Sequence, residues 1–395
     1  MTDRRANVSA PSRGTRPRNR RALILAAAAE LFYERGYDHV GTYEIAEAVG
    51  IGPSALYRHF PGKQELLAAV IFDVFEPTNY LLDRINVNDV EGSLRELVSL
   101  ALGNRMLGLL MDRDARSMAV EHQAALRTEV GGIVHRLSAV VACSRPELDE
   151  GATDLLARSL FAVFMSPSFH HLALPRGEYE TLLSELALRV VFAPIEGFDT
   201  TSQRVVASPL TPVSRREAVL SEATRLFARN GYAGVSLEDI GASLGIAGSS
   251  VYNHVESKAD ILVTSLRRST AYLMLDLNRI LSSTRDPAEA LTGLIDSYVG
   301  MMTTHTDVLD LLITQIDQLP AEERHEFRQI QHDYIAEWTH LIEESEPDLD
   351  PTAARIQVQT VLTVVNDTCR TPHLLAAAGF AEAIRIISRS LLFGA

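Results

Sequence analysis

From Arg20 to Arg35 the apolar side chains Leu25, Ala28, Leu31 and Phe32 keep the spacing of one helix face, and Gly36 follows as a left-handed stop. That spacing predicts a first helix. A second start comes after Val40: Gly41 stands at the N-cap with Glu44 three residues on, and Ile45 and Val49 mark the buried stripe before the stop at Gly50. Pro53 suits the first position of a third helix, expected to run through Phe60 with Leu56 and Phe60 facing inward. Two short helices joined by a glycine turn, the second with a small and polar outer arc, make a helix-turn-helix.

The pattern is written twice. Arg20 to Leu67 lies over Arg215 to Leu262 without a gap, at an offset of 195 residues, with 17 of 48 pairs identical. Ser236 with Asp239 repeats the helix start as a capping box, and Val251 with Val255 repeats the inward pair. The second copy departs at Ala247, a weak N-cap, and at Val255, which replaces an aromatic. The chain's only two lysines, Lys63 and Lys258, occupy the same position in each copy. An extended ammonium there suits a phosphate contact, and the plain alternative is an exposed residue in the first turn of a helix.

Beyond Lys63, amphipathic stretches without strand alternation predict helices near 63–82, 91–111, 113–142, 150–171 and 177–193. After the second copy come others near 257–282, 287–304, 306–318, 321–345, 351–370 and 376–392. Residues 194–214, rich in Pro, Ser and Thr, are expected to be a linker that spans up to ~65 Å when extended. The domain division is 1–19 as a basic disordered arm, 20–67 and 215–262 as helix-turn-helix domains, and 68–193 and 263–395 as the helical domains that follow them.

Composition changes this picture in two places. The net charge of −14 argues against nucleic-acid binding until its distribution is seen: residues 1–21 hold seven Arg against one Asp. This local basic arm is either an electrostatic arm along DNA or a tail that aids solubility. Arg20-Arg21 before an apolar run resembles a twin-arginine export signal, but Glu30 ends the run and the pattern recurs at Arg215-Arg216, inside the chain. No apolar run is long enough to predict a membrane span, and two distant cysteines, Cys143 and Cys369, fit a reducing cytoplasm.

The three-helix pattern, with Phe32, Gly36-Tyr37, Ile45 to Ile51, then Leu56-Tyr57, His59-Phe60, Lys63 and Leu66-Leu67, resembles the TetR family of transcriptional regulators. The two-in-one layout is similar to the double-TetR repressors of actinobacteria. The resemblance implies an all-α fold of two tandem units, each a helix-turn-helix domain followed by a helical regulatory domain, paired as an intrachain pseudo-dimer. It also implies that Tyr57 and Lys63 hold phosphates while Pro53, Ser54, Ala55, Arg58 and His59 face the major groove. The second copy offers Gly248, Ser249, Ser250, Tyr252, Asn253, His254 and Lys258 at those places. Both tyrosines are equally open to a packing role, and both histidines to a solvent-facing one.

The regulatory segments carry fewer signals. His170-His171 and His325, His332 and His340 give no convincing metal face, and neither a phosphate loop nor a paired nucleophile and base is present, so no cofactor and no enzyme activity is expected. Asn366, Asp367 and Thr368 interrupt an apolar run and are candidates to line a ligand pocket or the interface between halves, against a partly exposed helix face. The expected function is a ligand-released repressor on a double-stranded DNA operator, with a lipid, sterol or acyl-thioester effector favoured by the resemblance and by the apolar helices. Pairs of chains, as a dimer of pseudo-dimers, are compatible with this. Two alternatives stay open: a second unit that serves only as a built-in dimerisation partner, and a DNA-binding architectural protein without a ligand.

Overall fold

A computed structural model describes residues 20–195, 198–203, 212–307, 311 and 316–394, so the basic arm at 1–19 and part of the helix expected at 306–318 lie outside the described residues. In the first half the helices are α1 (Arg20–Arg35), α2 (Thr42–Ala48), α3 (Pro53–Tyr57), α4 (Lys63–Asp73), α5 (Phe75–Leu82), α6 (Val90–Gly103), α7 (Val120–Ser144), α8 (Glu150–Met165) and α9 (Arg176–Val191). In the second half they are α10 (Arg215–Asn230), α11 (Leu237–Ser243), α12 (Gly248–Val251), α13 (Lys258–Ser283), α14 (Pro287–Thr304), α15 (Ala321–Ser345), α16 (Pro351–Cys369) and α17 (Phe380–Phe393). No helix among the described residues is long and apolar enough to cross a membrane.

Four local expectations are corrected. The helix expected over 63–82 breaks at Val74, because Pro77 has no N–H to give and its ring crowds the carbonyl of Asp73, where α4 ends. The helices expected over 91–111 and 113–142 end and begin elsewhere: between α6 and α7 lie a helical turn at Leu107–Leu109, a π-helical turn at Leu110–Asp114 and a 3-10 turn at Ala115–Ser117. The third helix stops at Tyr57 rather than Phe60. Within the expected linker, β1 (Asp199–Gln203) pairs antiparallel with β2 (Ala377–Ala378), and α17 follows only after Gly379 at φ 78°.

The chain forms two compact units. One comprises the residues up to Ile85 together with Gly103–Ile133. Its core is Ile24, Leu25, Ala28 and Phe32 of α1 with Val40, Ile45, Leu56, Phe60, Leu66 and Leu67, all at most 4% exposed. The other comprises Asn86–Leu102 and the chain from Val134 onward, including the second helix-turn-helix.

In this second unit the two repeats meet through helices of the same kind: α8 packs on α16, and α9 on α17. Arg158 grips Asp367 with two bonds, Nη2 to Oδ1 at 2.8 Å and Nε to Oδ2 at 2.5 Å. Ser166 Oγ lies 3.1 Å from Thr360 Oγ1, His373 Nε2 lies 2.7 Å from Asp154 Oδ2, and Arg189 donates to the carbonyl of Leu391 at 2.8 Å. This is the intrachain pairing expected of a duplicated unit.

The duplication also runs further than the 48 residues read from sequence. Ser144-Arg145-Pro146-Glu147-Leu148-Asp149 corresponds to Ser345-Glu346-Pro347-Asp348-Leu349-Asp350, at an offset of 201 residues. Asp149 caps α8 through the N–H of Ala152 at 2.7 Å, and Asp350 caps α16 through Thr352 and Ala353 at 2.8 and 3.1 Å. The helices before these caps, α7 and α15, are both 25 residues long.

Candidate nucleic-acid interface

In the first copy, Gly36 and Gly50 take φ of 83° and 67°, conformations that a Cβ would strain, and so fold α1, α2 and α3 against one another. The Glu44 carboxylate accepts from the Gly41 N–H at 2.7 Å and from Arg35 Nη1 at 2.8 Å, which fixes the start of α2. Gly52 caps α3 and Pro53 opens it. Burying Leu56 and Phe60 turns the opposite arc outward: Pro53, Ser54, Tyr57, Arg58 and His59 are exposed and Ala55 is half-buried. The helix ends at Tyr57, but the His59 and Phe60 N–H groups still bond the Leu56 carbonyl at 2.9 and 3.0 Å, so Arg58 and His59 continue the turn. The Tyr57 hydroxyl is held 3.0 Å from Thr42 Oγ1.

The second copy reaches the same shape by other contacts. Ser236 and Asp239 close the expected capping box, with Ser236 N–H to Asp239 Oδ2 at 2.8 Å and Asp239 N–H to Ser236 Oγ at 3.1 Å. These bonds hold the Asp239 carboxyl below its usual pKa, the Ser236 side chain acting most. Gly241 and Gly248 let α11 and the start of α12 approach closely: a Cβ on Gly248 would lie 2.9 Å from Glu238 Cα, and one on Gly241 2.9 Å from the Ile246 oxygen. The first copy has Ala46 and Pro53 at these places. Ser249, Tyr252 and Asn253 are exposed, Gly248, Ser250 and His254 half-buried, and Val255 fills the core position of Phe60. Ala247 makes no side-chain cap bond. Leu237 replaces Thr42, so Tyr252 lacks the hydroxyl contact that Thr42 makes with Tyr57.

Both lysines fold back rather than extend. Lys63 Nζ sits 3.9 Å from the ring centre of Tyr37, and Lys258 Nζ 4.2 Å from that of Tyr232. Lys258 also donates to the carbonyls of Tyr232 and Val235, each at 2.8 Å. Burial lowers the pKa of both; at Lys63 the nearby carboxylates of Asp38, Asp114 and Glu44 counteract it. Each tyrosine ring in turn packs on a core phenylalanine, Tyr37 on Phe32 at 5.5 Å and Tyr232 on Phe227 at 5.3 Å. The lysine thus pins the start of the fourth helix to the loop after the first.

Two further residues hold the first head, and sequence reasoning missed both. Arg113 reaches the carbonyls that end α1, bonding that of Phe32 and, at 3.4 Å, that of Tyr33. Its neighbour Asp114 accepts from the Tyr37 N–H at 3.3 Å and from Arg113 Nε at 3.0 Å. Their side chains are 15% and 5% exposed, and the π-helical turn is what aims them at α1. The usable signal was the charged run Asp112-Arg113-Asp114 directly after the apolar stretch Met106 to Met111. In the second head, Arg268 bonds Glu217 at 2.9 Å, Thr224 lies 2.9 Å from Ser265, and the core continues into Leu311, Leu319 and Phe327.

The three candidate ligand residues do not converge. Asn366 accepts from the Tyr298 hydroxyl at 2.8 Å, Asp367 pairs with Arg158 where the halves meet, and Thr368 donates to the Val364 carbonyl of its own helix at 2.7 Å. Among the described residues no group of three His, Cys, Asp or Glu side chains is placed to hold a metal.

Comparison with known proteins bears on these heads directly. The model described as "Bacterial regulatory proteins, tetR family" matches twice, at residues 24–70 and 219–264, and "Tetracyclin repressor-like, C-terminal domain" matches residues 284–370. The chain is 33% identical over 103 residues to the HTH-type transcriptional repressor KstR2 of Mycolicibacterium smegmatis, covering 26% of this chain and 50% of that protein. It is 48% identical over 61 residues to the HTH-type transcriptional activator FasR of the same organism, covering 15% and 28%. The chain therefore spans half or less of these relatives' lengths. A TetR-family regulator from Bordetella parapertussis superposes with a TM-score of 0.41 at 21% identity, covering 46% of this chain and 96% of that one.

Proposed function

The chain belongs to the tetR family of bacterial regulatory proteins, with the family's DNA-binding domain present twice, and from that premise we propose a ligand-released repressor that reads an asymmetric operator with two unlike heads. The family match supports a DNA-binding transcriptional regulator. The observation that carries it is the exposed arc of each head. Arg58 stands where the second head has Asn253, and Pro53-Ser54-Ala55 where it has Gly248-Ser249-Ser250.

Arginine favours guanine through O6 and N7, and asparagine favours adenine through N6 and N7, so unlike heads select unlike half-sites. Tyr57 and Tyr252, exposed beside these residues, are assigned to phosphates, as are the two lysines and the arm at 1–19. Placing a lysine on a phosphate requires it to leave its tyrosine ring, and for Lys258 two carbonyl bonds as well. His59 and His254 complete the groove-facing arcs. Residues 68–193 and 263–395 are the regulatory domains, joined by 194–214, and act in the cytoplasm on a lipid, sterol or acyl-thioester effector. Such a ligand releases DNA if it prefers a state in which the heads no longer match the half-sites.

One chain already holds the two heads that a pair of half-sites ~34–36 Å apart requires. The mass of the complex on a single operator, measured by light scattering, should correspond to one chain. Two chains on every single pair of half-sites would refute the pseudo-dimer reading.

A further inference from the structure

In the second regulatory domain α14, α15 and α16 pack on one another around three large polar aromatics, Tyr298, Tyr334 and Trp338. Their ring centres are mutually 6.0–6.3 Å apart. Trp338 is fully buried, and the tyrosines are 7% and 6% exposed. Tyr298 gives its hydroxyl proton to Asn366. The Trp338 indole N–H is turned to the Tyr334 oxygen closely enough to lower that hydroxyl's pKa as a donor does, though short of a complete hydrogen bond, and the Tyr334 hydroxyl proton finds no acceptor. A buried hydroxyl proton is therefore left without an acceptor and its indole neighbour with an incomplete one, an arrangement that costs stability unless an acceptor is supplied.

The other half of the repeat lacks these polar groups. The caps Asp149 and Asp350 register α7 with α15 and α8 with α16, while Asp89 and Asp286, each bonding an N–H at the start of its helix, register α6 with α14. On that register Tyr298, Tyr334, Trp338 and Asn366 correspond to Ala101, Ile133, Leu137 and Met165. All four counterparts are apolar. The corresponding helices of the repeat carry a polar-aromatic set in one half and hydrocarbon in the other.

We propose that the second regulatory domain alone binds a neutral, apolar molecule bearing a carbonyl oxygen, which accepts from the Tyr334 hydroxyl and the Trp338 N–H. An indole N–H donates only, so the ligand atom it meets must be an acceptor. Neutrality follows from the surroundings. Burial drives both tyrosine pKa values upward, and the ionised group that acts on the Tyr334 hydroxyl is Asp276, an anion, so a carboxylate would meet both desolvation and a like charge. The proposal deepens the effector reading above and rests on it for the consequence at DNA; the binding itself does not depend on it.

Trp338 is the chain's single tryptophan, so its emission reports this cluster directly. The test titrates the full-length chain with 2-nonanone, cyclododecanone and camphor, against nonanoate and nonane. At least one ketone should change Trp338 emission saturably, nonanoate and nonane should not, and Tyr334→Phe should weaken the binding at least tenfold. That variant removes a hydroxyl that completes no hydrogen bond, so its melting temperature should change little, which separates lost binding from lost folding. No saturable response to any ketone, as when one internal water satisfies both donors, would overturn the proposal. So would equal binding by Tyr334→Phe or by nonanoate. Operator binding without ketone, measured on the same samples, separates the two readings: its failure sinks the regulator assignment, while ketone binding that leaves DNA affinity unchanged sinks only the link to release.

Discussion

The two heads share a frame and differ in how it is held. Phe32 and Phe227, Gly36 and Gly231, Gly50 and Gly245, and Lys63 and Lys258 over Tyr37 and Tyr232 are common to both, and they set the helices and turns. The first head adds a buried Arg113–Asp114 pair on the end of α1 and a Thr42–Tyr57 hydroxyl contact. The second adds the Ser236–Asp239 box and the close approach at Gly241 and Gly248. The shared residues thus set the turns and the lysine clamp. The outward face keeps Ser54/Ser249, Tyr57/Tyr252 and His59/His254, and its difference is concentrated at Arg58/Asn253 and at the helix start. A duplicated domain is free to diverge at such positions while the shared ones stay fixed.

The largest test of this comparison removes the support peculiar to one head. Arg113→Ala leaves Asp114 buried without its cation and should destabilise the first unit by about 3 kcal/mol. Hydrogen exchange should accelerate in α1 to α3 and stay unchanged in α10 to α12. Equal acceleration in both heads would show that the clamp is not specific to the first.

A smaller effect is expected from Gly248→Ala, which sets a Cβ 2.9 Å from the Glu238 backbone. Overpacking there should cost about 1–3 kcal/mol, confined to the second head. Urea unfolding followed at the second head checks it, and a neutral result would mean that α11 and α12 can separate freely.

Acid should distinguish the heads least. The folded-state pKa of Asp239 is depressed, so its contribution is full above its ordinary value of ~3.9 and is lost as the pH falls through the lower folded value. The start of α11 should therefore fray in acid below about pH 4. NMR amide shifts of residues 236–240, followed against pH in wild type and Ser236→Ala, test this; identical profiles would remove the box from the account.

How far sequence reached follows the same division. The bounds of α1 and α15 were legible at Arg20–Arg35 and Ala321–Ser345 because periodicity ended at glycine or proline signals. The inward turn of the lysines was not, since Lys258 bonds the carbonyls of Tyr232 and Val235, more than 20 residues away in the chain. Nor was the Arg113 clamp, whose partner carbonyls lie 80 and 81 residues upstream and carry no side-chain signature. Asn366 and Asp367 stood out correctly as polar breaks in an apolar helix, but one faces Tyr298 and the other Arg158. Only the packed neighbours separate them.

The central claim, that one chain reads unlike half-sites through unlike heads, is tested most directly by selection. The full chain and the double exchange Arg58→Asn with Asn253→Arg would each select operators from a library with both half-sites randomised, at fixed salt. The account predicts a non-palindromic optimum for wild type, with guanine in one half-site where the other has adenine, and the same bases exchanged for the variant. Each such contact should discriminate by roughly 1–3 kcal/mol. A palindromic optimum, or an exchange that leaves the selected sequence unchanged, would contradict it.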